Sequence, residues 1–393
     1  MVNDSSPARP AEELAPVLAW LRRGEPVQAR TAFPTGTALP DGRLDMCKQD
    51  LGPLGAAAVA DALPEGGGPV KHLLLGTDGL GDAGVAAVAP KAVAARVETL
   101  YLGCNNIGGG GVCEIASRLI ASPGVVKALW LKRNPVGADG VRAVAETVRA
   151  GTVLRTIDLT QTGLAAPEVA TLVDAMIDAG REASSNTADT HAIERLYLSG
   201  NKLGAEGAQE LARLLSAGAV AELYVSAAHL GDPGARLLAE ALRTAPPGAL
   251  RRLGVASNDI GSEALADLVA AAATAGVELI DAGRVKAAAI LAAADNHLDE
   301  SGAATIATAL AAAPHHLAFL NLRYTDLGSP GALRLLDGAQ RAATPTRFML
   351  GTGIAKRVKK ELAALSADIP ASVFDVAPDV RAIRSVYRTA PPA

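Results

Sequence analysis

The chain has 393 residues, a net charge of −4 and an apolar, Ala- and Gly-rich composition with 3% aromatics. That balance excludes a nucleic-acid interface, which needs a concentrated basic face, and the longest apolar runs fall short of a membrane-spanning helix of about 18 residues. The first residues lack the basic start and apolar core of a secretory signal, and three cysteines fit a reducing compartment, so a cytoplasmic protein is expected.

Residues 1–40 read as an N-terminal helical cap. Ala11 to Arg23 carries Leu14, Leu18 and Leu21 at helical spacing, with Trp20 near its end. From residue 41 to about 355 one template recurs: apolar, x, apolar, two residues, a polar turn residue, x, apolar, Gly. Val97 to Leu119 (VETLYLGCNNIGGGGVCEIASRL) shows it most clearly. The apolar pairs run Leu44/Met46, Leu73/Leu75, Leu100/Leu102, Leu129/Leu131, Ile157/Leu159, Leu196/Leu198, Leu223/Val225, Leu253/Val255, Leu291/Ala293 and Leu320/Leu322. The turn position holds Asn105, Asn134, Asn201, Asn258 and Asn296, replaced elsewhere by Gln49, Asp78, Thr162, Ala228 and Thr325.

The physical reading follows from the period. Alternation by two gives a short strand with two inward side chains. The Gly after the turn permits a backbone that Cβ disfavours, and Val112, Ile115, Ala116 and Leu119 then bury one face of a helix. One such unit cannot bury its apolar surface alone, so neighbours stack. The turn asparagines are expected to bond the backbone of adjacent coils. Cys113, near a helix start, is expected in the core.

These residues resemble the leucine-rich repeat family in its long, ribonuclease-inhibitor-like subclass. The resemblance covers residues 43–355 and implies a curved right-handed α/β solenoid, a horseshoe of about ten to eleven units. A parallel sheet would line its concave face and helices its convex face. It also implies a scaffold that binds proteins.

Two units are overlong by about eleven residues. One excess lies between Asp178 and His191; the other lies between Gly276 and Ile290, where Val277, Ile280 and Ala282 compete for the strand register. Placed before strands, both would emerge on the same rim, and long loops in compact repeats often carry function. A last strand is expected near Phe348 to Leu350 and a helix over Lys356–Leu365, its basic cluster a solvated face. Residues 356–393 read as a C-terminal cap and tail, with Phe374, Val380, Ile383 and Val386 as packing candidates.

The residue between the two inward positions must point away from the core. It reads Asp45, Leu74, Tyr101, Trp130, Asp158, Tyr197, Tyr224, Gly254, Ala292 and Asn321. With Phe319 and Tyr324 beside it, six of the eleven aromatics gather on one sheet face, flanked by Lys132, Arg133, Arg195, Arg252 and Arg323. Aromatics with arginine on a rigid surface are the composition of binding hot spots. The leading expectation is a non-catalytic scaffold, monomeric, holding a protein or peptide on this concave aromatic belt, without cofactor or metal.

Two other readings stand beside it. The GTPase-activating proteins for the nuclear-transport GTPase look similar in subclass and repeat number, which suggests a regulator of a nucleotide-binding protein. The chain lacks their acidic tail, and no catalytic asparagine can be carried over. A thiol–imidazole or metal site could also form where His72, Cys104 and Cys47 lie on neighbouring strands. No phosphate loop, CxxC, HExxH or GxSxG occurs.

Overall fold

Short strands with two fully buried apolar residues alternate with helices along nearly the whole chain. The computed structural model describes residues 11–185, 193–369 and 376–383. The chain divides into two units, and 376–383 belongs to the first.

Unit 1 opens with α1 (Ala11–Arg23). Leu14, Val17, Trp20 and Leu21 are its buried positions, so the apolar face is centred on Val17 and Leu18 stays half-buried. Trp20 packs on Phe33 with ring centroids 5.5 Å apart. Two short strands, β1 (Thr31–Ala32) and β2 (Thr37–Ala38), pair antiparallel with each other, and β2 pairs antiparallel with β3 (Arg43–Asp45). From β3 the pairing is parallel through β4 (His72–Leu74), β5 (Thr99–Tyr101), β6 (Ala128–Trp130) and β7 (Thr156–Asp158). Helices α2 (Gly52–Asp61), α3 (Gly81–Ala94), α4 (Gly109–Ala121) and α5 (Gly137–Arg149) follow the successive strands.

After β7 comes α6 (Ala166–Ser185), longer than its counterparts. Part of the first excess is therefore helix; residues 186–192 with His191 lie outside the described residues.

Unit 2 continues the alternation with β8 (Arg195–Tyr197), α7 (Gly204–Ser216), β9 (Glu222–Tyr224), α8 (Gly231–Thr244), β10 (Arg252–Gly254) and α9 (Ser262–Thr274). It goes on through β11 (Leu279–Asp281), α10 (Glu300–Ala312), β12 (Phe319–Leu322), α11 (Ser329–Arg341), β13 (Arg347–Leu350) and α12 (Lys356–Leu365). Its six strands are parallel and in register. In both units the strand leucines point toward the helices and form the core: Leu44, Leu73, Leu100, Leu196, Leu223, Leu253 and Leu320 are fully buried. Helix α12, where one was predicted, buries Val358 and Leu362 and leaves Lys356, Arg357 and Lys360 in solvent. A last short helix, α13 (Pro378–Ala382), belongs to unit 1.

The asparagine ladder is present and buried. Asn134 accepts from the amides of Asn105 and Ile107 and donates to the carbonyls of Leu102 and Leu131, so one side chain ties two coils. Asn105 and Asn258 repeat the pattern. The residues flanking the turn site take left-handed backbone, as at Cys104 (φ 61) and Asn106 (φ 55). That twist aims the turn amides at the next asparagine. Thr162 and Thr325 donate to the carbonyls of Leu159 and Leu322 in their own coils.

Three expectations need correction. The ninth strand is Leu279–Asp281, so Asp281 and not Ala292 stands between the inward residues, which are Ile280 and Ala282. The second excess therefore follows a strand instead of preceding one. Leu291 and Ala293 imitate the alternation but lie in the inserted loop. Gly108, Gly261 and Gly328 cap their helices in extended backbone; the left-handed glycine is seen at positions such as Gly52 and Gly204. Cys113 is exposed on α4, pointing away from the core.

Candidate functional site

The strand register sorts the outward side chains into two rows. In unit 1 one row runs Arg43, His72, Thr99, Ala128, Thr156 and the other Asp45, Leu74, Tyr101, Trp130, Asp158. In unit 2 the rows run Arg195, Glu222, Arg252, Leu279, Phe319, Arg347 and Tyr197, Tyr224, Gly254, Asp281, Asn321, Met349.

The predicted aromatics do stand on the outward side, but the two units present them differently. In unit 2 Tyr197 and Tyr224 are half-exposed and stack face to face, centroids 4.5 Å apart and 5° from parallel. Tyr224 also lies across Gly254, where a Cβ would come within 2.9 Å of the ring. In unit 1 Tyr101 and Trp130 are neighbours in register yet only 7% and 2% exposed. Their expected exposure is therefore corrected. Tyr101 lies over Gly76, with Lys132 Nζ 5.1 Å from its ring centroid.

Asp158 is buried as well, and burial pushes its carboxyl above the usual range. Its Oδ1 accepts from the amide of Thr160 two residues on. Asp45, Asp281 and Asn321 do the same for Cys47, Gly283 and Arg323. An acceptor at this position closes an Asx-type turn at the strand end, which is a scaffold role.

The basic residues divide too. Arg195 is buried and pairs with Glu194 and Glu222, and Arg252 pairs with the same Glu222. Glu222, 3% exposed, also accepts from the Tyr224 hydroxyl. Arg195 is thus tied into the scaffold by ion pairs. Arg133 is exposed and bonds Gln161. Arg323 is exposed beside half-buried Phe319. With Arg347, Phe348, Met349, Lys359 and Leu362 these two line a hollow of about 350 Å³ that sequence reasoning missed, because Arg347 and Lys359 come from the last strand and its helix. Arg347 is anchored there by the carbonyls of Ser366 and Ile369.

Tyr324 lies in a turn, 54% exposed, with the guanidinium of Arg284 4.6 Å from its ring centroid. Arg284 belongs to the inserted loop and pairs with Asp295. Ile290 projects from that loop, 89% exposed.

His72, Cys47 and Cys104 do not form a constellation. His72 bonds Thr99 through Nδ1, in the first outward row. Cys47 accepts from the amide of Gly76, four residues further along β4's path, about 13 Å at strand rise. Burial, then Asp45, pushes its thiol well up, the opposite of a reactive thiolate. Among the described residues no group of three His, Cys, Asp or Glu is placed to hold a metal ion. Among them, too, no helix is long and apolar enough to cross a membrane.

Repeating coils, parallel strands and the asparagine ladder define the class of fold: each unit is built as an α/β solenoid of the leucine-rich-repeat kind. A family profile described as leucine-rich repeat matches residues 192–212. A chain in the crystal structure of the Rad7–Elc1 complex of yeast is similar over 82% of this chain and 73% of its own, with TM-score 0.53 and 13% identity. The leucine-rich repeat-containing protein LegL7 from Legionella pneumophila is similar over 81% of this chain and 96% of its own, with TM-score 0.45 and 16% identity. No characterised protein matches in sequence.

Proposed function

We propose that the protein is a non-catalytic interaction scaffold whose outward sheet face in unit 2 holds a protein or peptide partner. The observation that carries this reading is the stacked Tyr197–Tyr224 pair beside the ion pairs of buried Glu222 with Arg195 and Arg252. Rigid, half-exposed aromatic rings with pre-paired arginines give large contact area at small entropic cost. The hollow around Phe319, Arg323 and Arg347 adds a cationic and apolar anchor further along the same outward side. A similar fold occurs in a chain solved within the Rad7–Elc1 complex, which supports an interaction role for this scaffold.

The coil length of 27 to 30 residues with one helix per coil favours the ribonuclease-inhibitor-like subclass. Three free cysteines favour the cytoplasm. The test is affinity capture from native lysate with wild type and a Tyr197→Ala/Tyr224→Ala variant of unchanged circular dichroism. A stoichiometric partner held by wild type and lost by the variant is the expected result. Equal recovery by both would sink the proposal.

A further inference from the structure

In unit 1 the segment 376–383 reaches the outward side of the sheet. Tyr101 and Trp130, on the outward side of that sheet, are only 7% and 2% exposed. Thr156 in the first outward row donates from Oγ1 to Asp379 Oδ2 at 2.6 Å, a contact between residues 223 apart in sequence. Ala382 in α13 is 2% exposed, and Val380 and Ile383 are half-buried. The charge of Asp379 also acts on His72, in the same row three strands away from Thr156. The segment thus reaches the outward row next to the one in which the aromatics stand, although it follows the last coil of unit 2 in sequence.

We infer that segment 376–383 is an intramolecular ligand of the unit 1 sheet face, covering Tyr101 and Trp130 until a competing segment displaces it. The partner it fits has the chemistry of the occupant: one short helical turn with small apolar side chains and a carboxylate for Thr156. This rests on reading the outward sheet face as the protein's binding surface. The hold includes the Thr156–Asp379 hydrogen bond and the burial of small apolar side chains such as Ala382. Intramolecular attachment adds a high effective concentration, so a weak ligand suffices to keep the face closed.

The test uses the full chain. In a Trp20→Phe background Trp130 is the only tryptophan. With Cys104→Ser and Cys113→Ser removing the accessible thiols, Thr156→Cys/Asp379→Cys should be bridged by dibromobimane, a short thiol cross-linker, with peptide mapping placing the bridge at 156 and 379. Ala382→Glu should release the cover and raise acrylamide quenching of Trp130 severalfold. A synthetic peptide of residues 370–393 added to that variant should lower the quenching again. Should Ala382→Glu unfold the chain, Asp379→Ala gives the same readout with a milder change.

Absence of the bridge would overturn the placement of the segment. A bridge together with parental quenching in the released variants would overturn displacement and make the segment a fixed part of the core. Neither readout involves Tyr197 or Tyr224, so failure here is separable from failure of partner capture by unit 2.

Discussion

Asn296 donates through Nδ2 to the carbonyl of Ala282 at 2.9 Å, across fourteen residues of sequence. Asn258 makes the same bond to Val255 across three. The remaining bonds of Asn296 are also those of its equivalents: it accepts from the amides of Asn258 and Ile260 and donates to Val255. The inserted loop therefore enters the coil between strand and turn without disturbing either. Its ends are drawn together by Arg284 and Asp295, and Ser257 links both sides by accepting from the amide of Val285 and bonding Asp295.

Removing residues 284–294 should consequently leave the fold intact. The deletion restores the two-residue gap between strand and asparagine that other coils have, and shortening a surface loop changes closure entropy by about 1 kcal/mol or less. The ion pair lost is solvent-facing and worth at most about 1 kcal/mol. Thermal unfolding should move by only a few degrees. Loss of cooperative unfolding would show that the loop is part of the core after all.

Asp78 occupies the asparagine position with the wrong chemistry. Its Oδ1 accepts from the amide of Gln49 at 2.6 Å, but a carboxyl has at most one donor where asparagine has two, and Oδ2 has no partner among the described residues. Burial pushes its carboxyl up to about 8. The native state thus holds an extra proton between the ordinary carboxylate range near 4 and about 8, and stability falls as pH rises through that window. Asp78→Asn should remove this slope and supply the missing donor, raising stability by about 1–3 kcal/mol at pH 8 and less at pH 5. Denaturant titrations at the two pH values check it. Asn134→Asp should do the reverse.

Sequence periodicity reaches as far as interactions that repeat. Leu100, Leu102 and Asn105 are legible because every coil poses the same packing and hydrogen-bonding problem, and the ladder follows once strands are stacked. Periodicity failed at β11 because Leu291 and Ala293 mimic the strand alternation inside a loop, while Leu279–Asp281 sits eleven residues early. It was silent on Trp130 for a different reason. That side chain faces outward as predicted, but its burial coincides with a contact made by residue 379, and no repeat encodes a contact made once. The pairing of Arg195 and Arg252 was hidden too, because Glu222, their shared partner, lies in the coil between them at a position the template leaves unspecified.

His315 is a buried imidazole. It is 8% exposed, and neither ring nitrogen has a hydrogen-bond partner among the described residues. Burial, and then His316, hold its pKa below the ordinary histidine range. The unfolded chain therefore takes up the proton first, and stability declines as pH falls below about 6.5. His315→Leu should stabilise by about 1 kcal/mol at neutral pH, by removing unpaired buried polar atoms. The gap in melting temperature between variant and wild type should widen at pH 5. A constant gap across that range would show that the imidazole is solvated.

Glu222 should be the most sensitive polar position on the outward face of unit 2. Its carboxylate is buried between the guanidinium groups of Arg195 and Arg252, 3.4 and 3.5 Å away, and takes the Tyr224 hydroxyl at 2.9 Å. Tyr224 is held protonated by burial and then by that negative charge, so it remains a donor. Replacing a buried ion by a neutral group leaves opposite charges uncompensated, a loss of about 3–5 kcal/mol in fully buried cases. Arg195 keeps Glu194 and Arg252 is half-buried, so Glu222→Gln should cost less, about 2–3 kcal/mol. Arg133→Ala, by contrast, removes an exposed side chain and should stay within about 0.5 kcal/mol. Denaturant midpoints measured for the two variants decide the matter: if they prove equal, Glu222 is solvated and the stacked tyrosines are held by packing alone.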